Sequence, residues 1–343
     1  MSPFDIRFCR RLLGVFALVA LGTNPTAADD SYLLATATTG GTFYPVGVAI
    51  ATLTKIKLQP TTGVALSAIT SAGSAENVKL LGENQTQFAL MNGIYGAWAW
   101  NGEGPFAATG PQEQLRSISM LWQNVEHFVV RADKVDTGTI ADLAQFGGDK
   151  FSVGKRNSGA EGSGRHLLDN LGIDRDAALE PVYLGFGPSA EALQNGTIQG
   201  ASFPAGAPVP ALVQVFAAAG ENQLAILEFT DPQLQRASGH YGLWTRYVIP
   251  ADTYPHQSRP VRTIAQPNLL AVRADVPSEV VYQVTRALYE NLAFLRNIHP
   301  ATEAMALERA IGGLPVPLHP GATRYYREQN LAIPQRLLVS EDQ

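Results

Sequence analysis

Short apolar runs alternate with helical stripes along most of the chain. Residues 32–37, 64–69 and 88–91 are apolar runs of strand length bounded by small or turn-forming residues. Between them Val46, Ile50 and Leu53 recur at helical spacing, as do Val78 and Leu81. The rhythm continues with strands predicted over 127–131, 151–154, 181–184, 197–203, 224–227 and 268–272. Helices are predicted over 137–143, from Leu167 to a stop at Gly172, over 189–195 and over 212–219. The longest helix is predicted over 278–296, where Val281, Val284, Leu288, Leu292 and Leu295 form one stripe. Strands alternating with helices in this way predict an α/β fold, with mostly parallel sheets covered by helices on both faces. At 343 residues the chain suits two domains rather than one.

The first 28 residues break the rhythm. Arg7, Arg10 and Arg11 precede ten apolar residues, 12–21, and Thr26-Ala27-Ala28 offers a small-residue cleavage site. This is the pattern of a secretory signal peptide. The apolar stretch is shorter than the roughly 20 residues a membrane-spanning helix needs. The expectation is export to the periplasm with cleavage after Ala28, and a mature protein that does not itself span the membrane. Cys9, the only cysteine, lies inside this leader, so the mature chain has neither disulfides nor a thiolate metal site.

Charge narrows the partners. The whole chain carries a net charge of −5; residues 1–28 hold three Arg and one Asp, so the mature chain stands at −7. That argues against nucleic acid or an acidic membrane surface. An anionic guest then needs local attraction, and two loops offer it. Thr38-Thr39-Gly40-Gly41-Thr42 leads from a strand into a helix, with Thr42 as candidate cap and Pro45 in the first turn. Ser158-Gly159-Ala160-Glu161 opens a second helix with capping-box spacing. Helix starts expose free N–H groups and a partial positive charge, which favour an anion. Two such loops in separate halves predict a ligand clasped between domains, although each alone reads equally as an ordinary turn. Glu161 is expected to tie off its helix rather than touch an anion. Lys155 and Arg156 stand beside the second loop, either as counter-charges or as solvated loop residues.

Signatures of catalysis are thin. Gly185-Phe186-Gly187-Pro188-Ser189-Ala190 fits a dinucleotide-binding pattern, but no acidic residue follows about 20 positions on to hold a ribose. Ser152-Val153-Gly154-Lys155 matches S-x-x-K without its partner motifs. The six histidines form no H-E-x-x-H pair. The expectation is a non-enzyme without cofactor or metal.

Seven segments, in order, carry a family resemblance. They include Thr39-Gly40-Gly41-Thr42-Phe43-Tyr44-Pro45, Gly73-Ser74-Ala75-Glu76-Asn77, Asn101-Gly102-Glu103-Gly104-Pro105-Phe106 and Ala205-Gly206-Ala207-Pro208. The others are Val153-Gly154 with Ser158, Gly159 and Glu161, then the segments 249–255 and 317–322. On these the chain resembles the TAXI class of solute-binding proteins of TRAP transporters (tripartite ATP-independent periplasmic transporters). The resemblance implies a type II periplasmic-binding fold. Lobe 1 would comprise residues 29–130 and 265–343, and lobe 2 residues 131–264. It implies closure on a small organic solute, commonly acidic, and delivery to membrane permease subunits. Carried onto this sequence, the ligand contacts would be Gly40, Gly41, Thr42, Phe43, Tyr44, Gly73, Ser74 and Asn77 from lobe 1. Lobe 2 would contribute Asn157, Ser158, Gly159, Phe203 and Gly206. Met91 and Gly93 stand where relatives usually show Gln and Asp, which implies a less polar pocket floor. Alternatives are a ligand-sensing partner of a membrane signalling protein, or a secreted enzyme using the Gly185 loop.

Overall fold

The computed structural model describes residues 30–339. The expected leader, with Cys9 and the cleavage site after Ala28, lies outside the described residues. Eleven strands build two sheets among the described residues. β1 (Asp30–Ala35), β2 (Val64–Ile69), β3 (Phe88–Asn92) and β4 (Leu115–Val125) belong to the first sheet. β5 (Phe128–Arg131), β6 (Asp149–Ser152), β7 (Leu179–Val182), β8 (Gly200–Ser202) and β9 (Leu224–Ile226) form the second. The chain then returns to the first sheet with β10 (Thr245–Ile249) and β11 (Val261–Arg273). Residues 245–249, expected in lobe 2, thus pair with β11 in the first sheet.

Both sheets are mixed, where mostly parallel sheets were expected. β1 runs parallel to β2 and β3, but β11 lies antiparallel to β3, β4 and β10. In the second sheet β6 is parallel to β7 and β8, while β5 is antiparallel to β8 and β9. The antiparallel pairs involve the strands that leave and re-enter each lobe, so the connection between lobes sets their direction. Ala265 pairs with Thr245 on one side and Val125 on the other. β10 and β3 therefore share one edge of β11, and β4 runs along the opposite edge.

Helices cover the sheets. α1 (Phe43–Lys57), the short α2 (Gln59–Thr62) and α3 (Ser74–Gly82) connect the parallel strands of the first sheet, and α4 (Gly93–Asn101) follows β3. α5 (Gly159–Leu171), α6 (Arg175–Ala178), α7 (Phe186–Gln194), α8 (Pro210–Ala219) and α9 (Asp231–Ser238) serve the second half. The long helix expected over 278–296 is broken into α10 (Ser278–Glu290) and α11 (Leu292–Arg296) at Asn291, whose backbone leaves the helical region (φ −129°, ψ 32°). α12 (Pro320–Glu328) packs on α10. The helix expected over 137–143 is a 3-10 turn, Ile140–Gln145, capped by the Thr139 hydroxyl.

The cores follow from the apolar runs. Leu34, Leu66, Phe88 and Leu270 are fully buried between α1, α3 and α10 in the first lobe. Each such side chain stabilises the fold by roughly 1.5–3 kcal/mol relative to exposure. Phe128, Phe151 and Leu167 anchor a second core that also receives Ile94, Tyr95 and Trp98 from α4. α4 is thus shared by both halves.

Two chain segments cross side by side between the sheets. Glu126 and His127, both fully buried, link β4 to β5. The Glu126 N–H donates to the Ile264 carbonyl at 2.9 Å, and the Thr263 hydroxyl donates to the Glu126 carbonyl at 2.7 Å. The His127 ring lies between the carbonyls of Val125 and Phe203 on its Nδ1 side and the Tyr254 hydroxyl on its Nε2 side.

Candidate functional site

Five helix starts meet at one cavity between the lobes. From the first lobe come α1 behind Thr42, α3 behind Gly73 and α4 behind Asn92. From the second come α5 behind Ser158 and α7 behind Gly185. Each first turn leaves backbone N–H groups without helical partners. The local sequence makes this convergence possible. Gly73 adopts φ 125°, which L side chains rarely take, and so turns β2's exit sharply into α3. Gly159 brings α5 so near the first lobe that a Cβ there would stand 2.6 Å from Ser74 Oγ and 2.8 Å from Asn92 Nδ2.

The lobes are closed on one another. The Thr42 hydroxyl donates to the Gly206 carbonyl at 2.9 Å, and the Glu76 N–H to the Asn157 carbonyl at 3.2 Å. The Ala211 N–H donates to the Gly40 carbonyl at 3.4 Å. What remains between them is a cavity of about 50 Å³. One water needs roughly 10–15 Å³ of such space, so the guest is small.

The cavity lining is neutral or positive. Among the described residues Lys155 is the one charged side chain on it, and neither Asp nor Glu lines it. Phe43, Phe186, Ala72, Ala160 and Pro204 supply apolar wall. Nearby acids are engaged elsewhere. The Glu76 carboxylate accepts the Ala72 N–H at 2.5 Å, and Glu161 pairs with Arg165 at 2.7 Å and Arg175 at 3.3 Å. Ser158 caps α5 by accepting the Glu161 N–H at 3.1 Å, so half of the expected capping box is present while the Glu161 carboxylate turns to the arginines. Arg156 stacks on the Tyr183 ring, 3.7 Å from its centre, and does not line the cavity.

Of the residues expected to contact a ligand, Gly41, Thr42, Phe43, Gly73, Ser74, Ser158 and Gly159 line this cavity. Gly40, Tyr44, Asn77, Asn157, Phe203 and Gly206 do not. Asn77 is fully buried, and its amide donates at 2.7 Å to the carbonyls of both Thr36 and Leu90 while accepting from the Ser71 hydroxyl. It holds the loop after β1 to β3. Asn157 and Gly206 give their carbonyls to the opposite lobe, as above, and Gly40 sits against Gly187. Phe203 is buried edge-on to Phe186. Thr42, expected to cap α1, has helical backbone angles and spends its hydroxyl proton on Gly206 instead.

Three contributors were not foreseen. Asn92, one position past the strand predicted over 88–91, ends β3 and caps α4 by accepting the Tyr95 N–H at 3.3 Å. Asn124 lies on β4, a strand with no clean apolar pattern. The Gly185 loop resembled a weak nucleotide motif; α7 begins there, three residues before the expected start, and carries Phe186 to the cavity. Met91 is buried in the core, so the floor's polarity comes from Asn92 and Asn124 rather than from the position expected to be less polar.

The chain is similar to several solved structures. MatC from Rhodopseudomonas palustris, solved with bound malate, aligns with a TM-score of 0.52 at 13% identity, covering 87% of this chain and 97% of that one. A binding-protein component of an ABC phosphonate transporter from Pseudomonas aeruginosa aligns with a TM-score of 0.48 at 11% identity, covering 79% and 78%. The periplasmic aliphatic sulphonate binding protein SsuA from Escherichia coli aligns with 0.44 at 12%, covering 87% and 83%. No helix among the described residues is long and apolar enough to cross a membrane. The model of the NMT1-like family matches residues 34–329, most of the described fold and all five helix starts, and the chain belongs to that family.

Proposed function

We propose that this protein is an extracytoplasmic solute receptor of a TRAP transporter. It closes two lobes on a small organic anion, releases it unchanged to membrane permease subunits, and performs no covalent chemistry. The observation that carries the reading is the convergence of five helix starts and Lys155 on an inter-lobe cavity that no carboxylate lines among the described residues. Each helix terminus stabilises a nearby anion by about 0.3–1 kcal/mol, and charge-assisted hydrogen bonds add roughly 1.5–3 kcal/mol each. The seven TAXI-like segments support the transporter class, and the basic, apolar, small-residue pattern over 1–28 supports export to the periplasm.

Thermal-shift screening of organic acids tests the reading, and malate belongs in the panel because MatC, of the same fold, was solved with it. A ligand at 100 times its Kd stabilises the native state by about 2.7 kcal/mol and raises the melting midpoint. A panel in which no organic anion moves the midpoint would sink the receptor reading. Mass spectrometry of solute retained through gentle purification identifies the guest directly.

A further inference from the structure

Most polar side chains of the cavity are spent as acceptors and left over as donors; Thr42, whose proton goes to the Gly206 carbonyl, is the exception. Asn124 is the clearest case. It is 2% exposed, lines the cavity, accepts from the Asn268 amide at 3.4 Å, and has no partner for its own amide nitrogen. Buried donors in folded proteins are nearly always paired, so this one calls for an acceptor on the guest. Asn92 repeats the pattern. Its oxygen accepts the Tyr95 N–H, and its amide nitrogen has only the Gly159 carbonyl at 3.5 Å. The hydroxyl oxygens of Ser74 and Ser158 accept the N–H groups of Asn92 and Glu161, each at 3.1 Å, which leaves their protons to donate. Lys155 can only donate.

An ammonium group has the opposite need. It brings three donors and a positive charge, and without acceptors or a counter-charge its burial is costly. Among the described residues no carboxylate lines the cavity, and Glu76 and Glu161 are already bound to their own lobes.

We propose that the guest is a compact, acceptor-rich anion without an ammonium group, an oxo acid or plain carboxylate rather than an amino acid. Asn124 sets that choice by donating to a second acceptor on the guest. This inference rests on the solute-receptor reading of the same cavity.

Matched pairs that differ only in oxo for ammonium test it by calorimetric titration of the mature protein at pH 7.5. The probes are pyruvate with L-alanine, 4-methyl-2-oxopentanoate with L-leucine, and 2-oxoglutarate with L-glutamate. In any pair with measurable binding, the oxo acid should bind at least tenfold tighter. An amino acid that binds as tightly as its oxo partner overturns this inference and leaves the receptor reading standing. Silence from all six probes and from the wider organic-acid panel overturns both. Asn124→Asp, checked for folding by circular dichroism, should lower the affinity for the preferred oxo acid at least tenfold. Unchanged affinity in the folded variant removes Asn124 from its role, and the wild-type pairs decide the solute class if the variant does not fold.

Discussion

The hydroxyl of Thr42 donates to the carbonyl of Gly206 at 2.9 Å, across the cleft and 164 positions along the chain. Two residues expected to hold a ligand instead hold each other. The bond joins the start of α1 to the turn after β8, so it exists only while the lobes are together. Thr42→Val keeps the shape and removes the donor. An uncharged hydrogen bond contributes about 1 kcal/mol net, so solute affinity should fall roughly fivefold. Titration calorimetry with the solute that the screen identifies measures this, and X-ray scattering should show a more open mean shape without solute. Unchanged affinity would mean that this bond does not bias closure.

Gly159 gives a sharper test of closure. It opens α5 without left-handed backbone angles, so alanine suits the helix itself. Across the cleft, however, its Cβ would stand 2.6 Å from Ser74 Oγ and 2.8 Å from Asn92 Nδ2. Gly159→Ala should keep the melting midpoint of the ligand-free protein while cutting affinity at least tenfold. Gly41→Ala should do less, because its Cβ would meet only the Phe186 ring, at 3.2 Å. Equal losses in the two variants would contradict the geometry.

The parallel heart of the first lobe was legible in sequence because β1, β2 and β3 are apolar runs, each marked off by turn residues. β4 was not legible. Leu115–Val125 interleaves Arg116, Ser117, Ser119, Gln123 and Asn124 with apolar residues, yet nearly all of it is buried. Its serine hydroxyls find partners far along the chain: Ser117 donates to the Val316 carbonyl at 2.6 Å, and Ser119 meets the Tyr289 hydroxyl at 2.5 Å. A strand whose polar side chains are buried by tertiary neighbours shows no period. Asn124 was hidden with it. The break at Asn291 was masked for a different reason, since the apolar stripe runs on through it into α11. The glycine loops of the site were readable because a helix start needs recognisable local residues. The asparagines at the floor were not, because their placement depends on which strands become neighbours.

Lys155 is exposed at the rim of the cavity, so its contribution should be modest and sensitive to salt. Exposed ion pairs are worth about 0–1 kcal/mol, and added salt weakens them further. Lys155→Gln should weaken solute binding by less than about tenfold. It should also flatten the dependence of affinity on ionic strength. A loss that persists undiminished at 0.5 M salt would show that the lysine acts by shape rather than charge.

Glu126 makes the crossing between lobes pH-sensitive. Its carboxyl is fully buried at the link between β4 and β5, accepts the Trp244 indole N–H at 3.1 Å, and has one oxygen without a partner. Burial raises its pKa from the ordinary 4.5 to about 7. The folded protein therefore keeps this proton where the unfolded chain has lost it. The resulting stability is full below pH 4.5, drains away as pH rises towards 7, and is gone above it. The shift corresponds to about 3 kcal/mol. His127 works in the other direction. Burial lowers it to about 4, so its share of stability is present above 6.5 and is lost as pH falls through 4. His319, also lowered to about 4 by burial, adds to that opposing trend. His166 and His299, lowered by burial too, pull the same way, so the wild-type curve alone mixes Glu126 with these histidines. Glu126→Gln mimics the protonated carboxyl and can still accept from Trp244. Its unfolding free energy minus that of the wild type, from urea titrations at several pH values, should rise between pH 4.5 and 7 and then level off. A difference that stays flat across that window would show that Glu126 enters the folded state already ionised.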